Sequence, residues 1–256
     1  MCRMLNIIKI IVSLYLLVIS VSATVTWAEK PAQLRVAVAS NFLTTARTIG
    51  QQFERDTGVK VDFSSASSGK ITTQIAAGAP YDLFLSADSA RPQRLIELGL
   101  AVPDSQAIYA IGQLALVSRT APDKPLNFAS RRMAIANPKI APYGMAAQQW
   151  LNKGNHRPDL IYGENINQVW HFFQIGTVPY AIVAQSQLFS APEQPPYSLA
   201  LPVDEAQLAQ ALVILKRSKQ PQIAAQFRAF LLSDAIQQQI QKAGYAVRHD
   251  KIRVDN

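Results

Sequence analysis

The sequence predicts an α/β protein made of two doubly wound lobes, joined by two crossover strands with a ligand cleft between them. Three observations predict it. Short apolar runs alternate with amphipathic helical patterns along the chain, with no repeat period or low-complexity tract apart from a Pro-rich loop at 191–197. A long apolar run at 108–118 leaves the first set of such units, and an apolar return strand at 211–215 comes back after a second set. At 256 residues the chain is large for one compact core and comfortable for two.

The first strand, 34–39, ends at Ser40-Asn41, which reads as the cap of an amphipathic run with Phe42, Leu43, Ala46, Ile49 and Phe53 on one face and a stop at Thr57-Gly58. A second strand, 59–63, enters the Ser-rich turn 64–68, and Ile71, Ile75 and Ala76 mark the next helix face, which ends at Gly78. In a parallel sheet, strand ends and helix starts gather at one edge. Both Ser-bearing turns therefore face one crevice with free backbone N–H groups, and such a crevice suits an anion. The run 81–86 is a buried strand, followed by a helix capped by Asp88 or Ser89, with Pro92 in its first turn and Gly99 after its end. The second lobe continues with strand 133–136, the turn Ala141-Pro142-Tyr143-Gly144, helix 145–151, helix 166–175 closed by Gly176, and strand 178–184. Helices 221–232 and 234–243, the latter closed by Gly244, pack back on the first lobe. The expected lobes are 29–112 with 212–256, and 113–211, hinged near Ser118 and Leu215.

Residues 1–28 have the layout of a secretory signal peptide: Arg3 and Lys9, an apolar run, then small residues up to Ala28. Cleavage is expected after Ala28, with Ala23 as the alternative. The apolar run is shorter than the ~20 residues of a membrane-spanning helix, which disfavours a retained anchor. The single cysteine, Cys2, falls in this segment, so the mature chain offers no thiolate or cysteine-based metal site. Losing Arg3 and Lys9 lowers the formal charge from +8 to +6, with the basic residues scattered. No polybasic or aromatic-basic block points to nucleic acid, though a positive body can steer small anions. His156, His171 and His249 are far apart with no carboxylates grouped around them as a metal set. Ser68-Gly69-Lys70 lacks the first glycine and the closing hydroxyl of a phosphate loop; Lys70 reads as a solvated helix residue. No Gly-x-Ser-x-Gly elbow supports a hydrolase, and the expectation is a binding protein without enzymatic activity.

Several stretches resemble the periplasmic molybdate-binding proteins of ABC importers, within the type II periplasmic substrate-binding family. They are Val36-Ala37-Val38-Ala39-Ser40-Asn41, the segment 65–70, Gly78-Ala79-Pro80-Tyr81-Asp82-Leu83-Phe84-Leu85-Ser86-Ala87-Asp88, Asn137-Pro138 with Ala141-Pro142-Tyr143-Gly144, and Gly163-Glu164-Asn165. They span nearly the whole mature chain. The resemblance implies the two-lobed type II fold and a periplasmic, monomeric protein that captures molybdate, and tungstate, for an inner-membrane ABC permease. It also implies a tetrahedral oxyanion held through its oxygens, with no cofactor and no direct metal ligand. By resemblance the contacts are Ser40, Asn41 and Ser68 from the first lobe, with Ser67 the alternative in that register, and Tyr143 and the Ile166 N–H from the second. Some relatives carry a ligand tyrosine where this chain has Ala184-Gln185, and Tyr143 is the expected replacement. A sibling importer component for sulfate, thiosulfate or a small organic acid is the alternative, and an exported enzyme on the same fold the less favoured one.

Overall fold

Two five-stranded sheets organise the protein in its computed structural model, which describes residues 33–123 and 126–246. The expected signal segment and His249 lie outside the described residues. The strands are β1 (Gln33–Ala39), β2 (Lys60–Ala66), β3 (Leu83–Leu85), β4 (Ala107–Ile111), β5 (Leu114–Ser118), β6 (Arg132–Ala136), β7 (Asp159–Gly163), β8 (Tyr180–Ala184), β9 (Tyr197–Leu201) and β10 (Ala209–Ile214). The helices are α1 (Leu43–Thr57), α2 (Ser68–Ala76), α3 (Ala90–Glu97), α4 (Pro142–Lys153), α5 (Ile166–Gln174), α6 (Gln185–Ser190), α7 (Pro221–Leu231) and α8 (Asp234–Lys242).

The first sheet has the order β2-β1-β3-β10-β4, with β1 parallel to both neighbours and β10 antiparallel to both of its own. The second has the order β7-β6-β8-β5-β9, with β6 parallel to β7 and β8, and β5 antiparallel to β8 and β9. Helices cover both faces of the inner strands, which is why 36–39 and 133–136 are unbroken buried apolar runs instead of alternating ones. In the first lobe, Phe53 meets Phe227 edge-on at 5.1 Å and Phe42 lies 4.7 Å from Tyr109, so α1, α7 and β4 share one aromatic core.

The parallel registers put the functional edges in place. Ala39 lies beside Ala66, so the chain leaves β1 at Ser40 and β2 at Ser67 from the same end of the sheet. Ala136 lies beside Gly163 in the second sheet, which brings the starts of α4 and α5 to one edge in the same way.

Several sequence expectations are corrected. The apolar run 108–118 is two strands in two different sheets, broken at Gly112-Gln113. The chain therefore crosses between sheets there and returns just before Ala209. Ser118 is paired with Tyr180 and Tyr197 at the far end of β5, and Leu215 bridges Ala101, so neither sits at a crossing. Ser64 and Ser65 belong to β2, which leaves Ser67 alone at the turn. Pro142 occupies the first turn of α4, so Tyr143 is a helix residue and not part of a preceding loop. The Pro-rich stretch runs into an edge strand, β9, where a loop is expected.

Candidate functional site

The first-lobe side of the crevice is built on two strand-to-helix transitions. Ser40–Phe42 is a single 3-10 turn ahead of α1, and Ala39 and Phe42 occupy the cap positions, so Ser40 is buried without serving as a helix cap. Ser67 is the cap residue of α2, yet it makes no side-chain cap bond and its buried hydroxyl has no hydrogen-bond partner among the described residues. A buried hydroxyl in that condition carries an uncompensated desolvation cost until something accepts its proton. Ser68 accepts a hydrogen bond from the Ala87 N–H at 2.9 Å. Its own proton remains free to donate.

On the second-lobe side, Asn165 caps α5 by accepting from the N–H groups of Asn167 at 3.0 Å and Gln168 at 3.1 Å. The N–H of Ile166, the first helical residue, has no intrahelical acceptor and is the donor this cap leaves over. Gln187, which sequence reasoning passed over, holds this edge together. Its Oε1 accepts from the Ala184 N–H at 3.0 Å, and its Nε2 donates to Asn167 Oδ1 at 3.0 Å and the Ile166 carbonyl at 3.3 Å.

A buried amide–phenol network links the two sides. Asn41 Nδ2 donates to Gln210 Oε1 at 2.9 Å and reaches Tyr143 Oη at 3.5 Å, while Gln210 Nε2 donates to Tyr143 Oη at 3.2 Å. The Tyr109 hydroxyl lies within reach of Gln210 Oε1 at 3.0 Å and the Ser86 carbonyl at 2.9 Å. The Tyr245 hydroxyl donates to the Asn41 carbonyl at 2.7 Å and fixes the 3-10 turn from behind. Gln210 is fully buried at the second position of the otherwise apolar β10. A lone amide inside such a strand was the available signal.

Burial holds all three phenols protonated: it pushes Tyr109 and Tyr143 well above the ordinary tyrosine range, and Tyr245 up to about 12. A tyrosine with a raised folded-state value contributes stability that is complete below its unfolded value and is lost as pH rises through the folded one. For Tyr245 the window runs from 10.0 to about 12, and the loss approaches ~1.4 kcal/mol per pH unit inside it. Thermal unfolding followed above about pH 8 is expected to show this contribution level at first and then falling, with a shallower fall in Tyr245→Phe. Tyrosinate absorbance in the folded protein equal to that of the unfolded protein up to about pH 10 would contradict it.

All five predicted residues come to one inter-lobe junction. Asn41 touches Tyr143, α5 packs on the turn holding Ser40 and Asn41, and the Gly69 N–H beside Ser68 donates to the Ile140 carbonyl at 2.9 Å, three residues before Tyr143. Lys70 is half-exposed but not merely solvated, because it pairs with Glu164 of the other lobe at 2.8 Å. The acidic groups nearest the junction are engaged: Glu164 in that pair, and Asp88 with Arg91 and Ser86. Among the described residues no cluster of three or more potential metal ligands occurs. His156 instead packs against Trp150 at 4.9 Å and Phe128 at 5.2 Å. The junction is thus a set of neutral donors at two helix starts with no free carboxylate among them, a combination that favours a fully deprotonated anion.

Residues 34–246 match the family model of the bacterial extracellular solute-binding proteins. The molybdate-binding protein ModA of Rhodobacter capsulatus is 36% identical over 219 residues, covering 82% of this chain and 86% of that protein. ModA of Azotobacter vinelandii is 38% identical over 176 residues, covering 63% of this chain and 68% of its own length. The solved periplasmic molybdate-binding protein of Azotobacter vinelandii superposes with a TM-score of 0.75 at 33% identity, over 84% of this chain and 99% of that one. The sulfate-binding protein SubI of Mycobacterium tuberculosis, at a TM-score of 0.63 and 16% identity over 84% of this chain and 85% of that one, shares the fold alone. By these matches the chain belongs to the bacterial extracellular solute-binding proteins and is a homologue of their molybdate-binding members.

Proposed function

We propose that the protein is the periplasmic binding component of an ABC importer, that it captures molybdate and tungstate between its two lobes, and that it delivers them as a monomer to a membrane permease without acting as an enzyme. The observation that carries this reading is the meeting, at one inter-lobe junction, of uncommitted donors from both lobes with no free carboxylate among the described residues there to receive a ligand proton. Ser40, Asn41 and Ser68 serve from the first lobe, and Tyr143 and the Ile166 N–H from the second. Asn41 takes part through its backbone N–H, because its side-chain amide faces Gln210 and Tyr143. The bodies that close on the ligand follow the two sheets: the first runs to Gly112 and resumes at Ala209, three residues before the expected boundary at 212, and the second lies between them. About seven hydrogen bonds to a charged acceptor at ~1.5 kcal/mol each give roughly 10 kcal/mol, in the submicromolar range before other costs.

Calorimetric titration with molybdate, tungstate, sulfate and phosphate tests the reading. Molybdate and tungstate are expected to bind tightly and phosphate poorly, since phosphate near neutral pH carries a proton that needs an acceptor. Equal affinity for phosphate and molybdate would sink it, and preference for sulfate would move the protein to the sibling anion class. Ser68→Ala should weaken molybdate binding by about 1.5 to 3 kcal/mol, roughly ten- to hundredfold, with the empty protein's stability nearly unchanged. If Ser67→Ala abolishes binding while Ser68→Ala leaves it intact, the contact shifts to the buried, unpartnered Ser67 hydroxyl.

A further inference from the structure

The Tyr143 hydroxyl can donate one hydrogen bond and accept others, and a group with both capacities does not by itself reject a protonated ligand. What surrounds it removes the choice. Gln210 Nε2 and Asn41 Nδ2 both direct N–H groups at Oη, at 3.2 and 3.5 Å. Gln210 is held in that orientation from its other end, where Oε1 receives Asn41 Nδ2 at 2.9 Å and the Tyr109 hydroxyl at 3.0 Å. Gln210 is also fixed at its backbone, as the interior residue of β10 where its register with β4 shifts. With its acceptor side occupied, the phenol has its proton left to offer, and burial keeps that proton in place.

We propose that Gln210 is a positioning residue that turns Tyr143 into a pure donor and thereby sharpens the site's selectivity for unprotonated over protonated oxyanions. This rests on the oxyanion-binding reading given above. Gln210 need not touch the ligand: it works by saturating Oη from behind, much as a second hydrogen bond fixes the tautomer of a liganding histidine. Tyr109 contributes one step further out. The network crosses the junction, since Gln210 lies in the first sheet and Tyr143 in the second lobe's α4, so it forms fully when the lobes meet.

The test is a double-mutant cycle read by calorimetric titration with sodium molybdate and inorganic phosphate at near-neutral pH. Gln210→Leu is expected to weaken molybdate about tenfold and to narrow the gap between molybdate and phosphate, because Oη regains an acceptor site. In a Tyr143→Phe background the same change should cost nothing further and leave the ratio alone. Equal losses in both backgrounds, or an unchanged molybdate-to-phosphate ratio in Gln210→Leu, would overturn the proposal and leave Gln210 a packing residue. Should Gln210→Leu fail to fold, Gln210→Met keeps the length and volume and serves the same cycle. If neither folds, or if Tyr143→Phe binds molybdate as tightly as the wild type, the proposal falls. Wild-type protein that binds none of the oxyanions would instead defeat the functional reading itself.

Discussion

Asp82→Ala is expected to lower the stability of the protein by roughly 4 kcal/mol, about 10 °C in melting temperature for a chain of this size, while barely changing the affinity of molecules that remain folded. Asp82 is buried, and its two oxygens accept three hydrogen bonds: Oδ2 from the Arg35 N–H at 2.8 Å, and Oδ1 from the Ser218 hydroxyl at 2.7 Å and the Lys219 N–H at 3.1 Å. These bonds tie the start of β1, the approach to β3 and the segment after β10 into one corner, at the end of the sheet opposite Ser40. Alanine leaves two backbone N–H groups without their acceptor, and each bond to a charged group is worth about 1.5 to 3 kcal/mol. Asp82→Asn, which keeps one acceptor oxygen, should recover part of the loss. Thermal unfolding beside calorimetric titration measures both quantities. A melting temperature near that of the wild type would show that the carboxylate is replaceable by water. Reduced affinity at unchanged stability would move Asp82 into the site.

Most of the first lobe was legible because local chemistry and tertiary demand agree there. Five glycines read as helix stops, Gly58, Gly78, Gly99, Gly176 and Gly244, all adopt positive φ between 71° and 94°. Left-handed backbone at these positions is what lets each helix end, and glycine adopts it at little cost. The β1-to-α1 and β2-to-α2 transitions were equally visible, since each places polar residues between a period of two and a period near 3.6.

The failures share a cause: the deciding partner lay far along the chain. Gly112-Gln113 is the only mark of a break in 108–118, and it reads equally as a bulge within one strand, because both halves are apolar and each is paired in its own sheet. The edge strand β9 alternates large and small residues, Tyr-Ser-Leu-Ala-Leu, but it is five residues long, mostly exposed and directly preceded by Pro195-Pro196, so it reads as part of the loop. Proline before Tyr143 suited a turn as well as a helix start, and the packing of α4 on β6 decided for the helix. Gln210 was missed for the same reason. Its amide makes sense only beside Asn41 and Tyr143, at sequence separations of 169 and 67.

Gly112 shows how strictly the crossing point and the site depend on each other. Its φ lies outside the left-handed region, so glycine is needed here for space. A Cβ at this position would stand 2.3 Å from Tyr143 Oη, 2.9 Å from Tyr143 Cζ and 2.9 Å from Gln210 Nε2. None of the three can yield alone, since Tyr143 and Gln210 are buried and bonded to each other. Gly112→Ala is therefore expected to push the phenol off its hydrogen bonds and out of line with the cleft. It should weaken molybdate binding by about 3 kcal/mol, roughly a hundredfold, and cost about 1 to 3 kcal/mol of stability through overpacking. The backbone bond from the Gly112 N–H to the Leu208 carbonyl, at 2.8 Å, is unaffected by a methyl group, so the crossing strands should stay paired. Calorimetry and thermal unfolding separate the two effects, and Gly58→Ala is the control, because a Cβ there meets nothing within 4 Å although its φ of 73° is strained. That control should lose stability without losing affinity. If Gly112→Ala instead binds molybdate like the wild type, Tyr143 can leave its place without cost, and the donor at the second lobe's first helical turn is not part of the site.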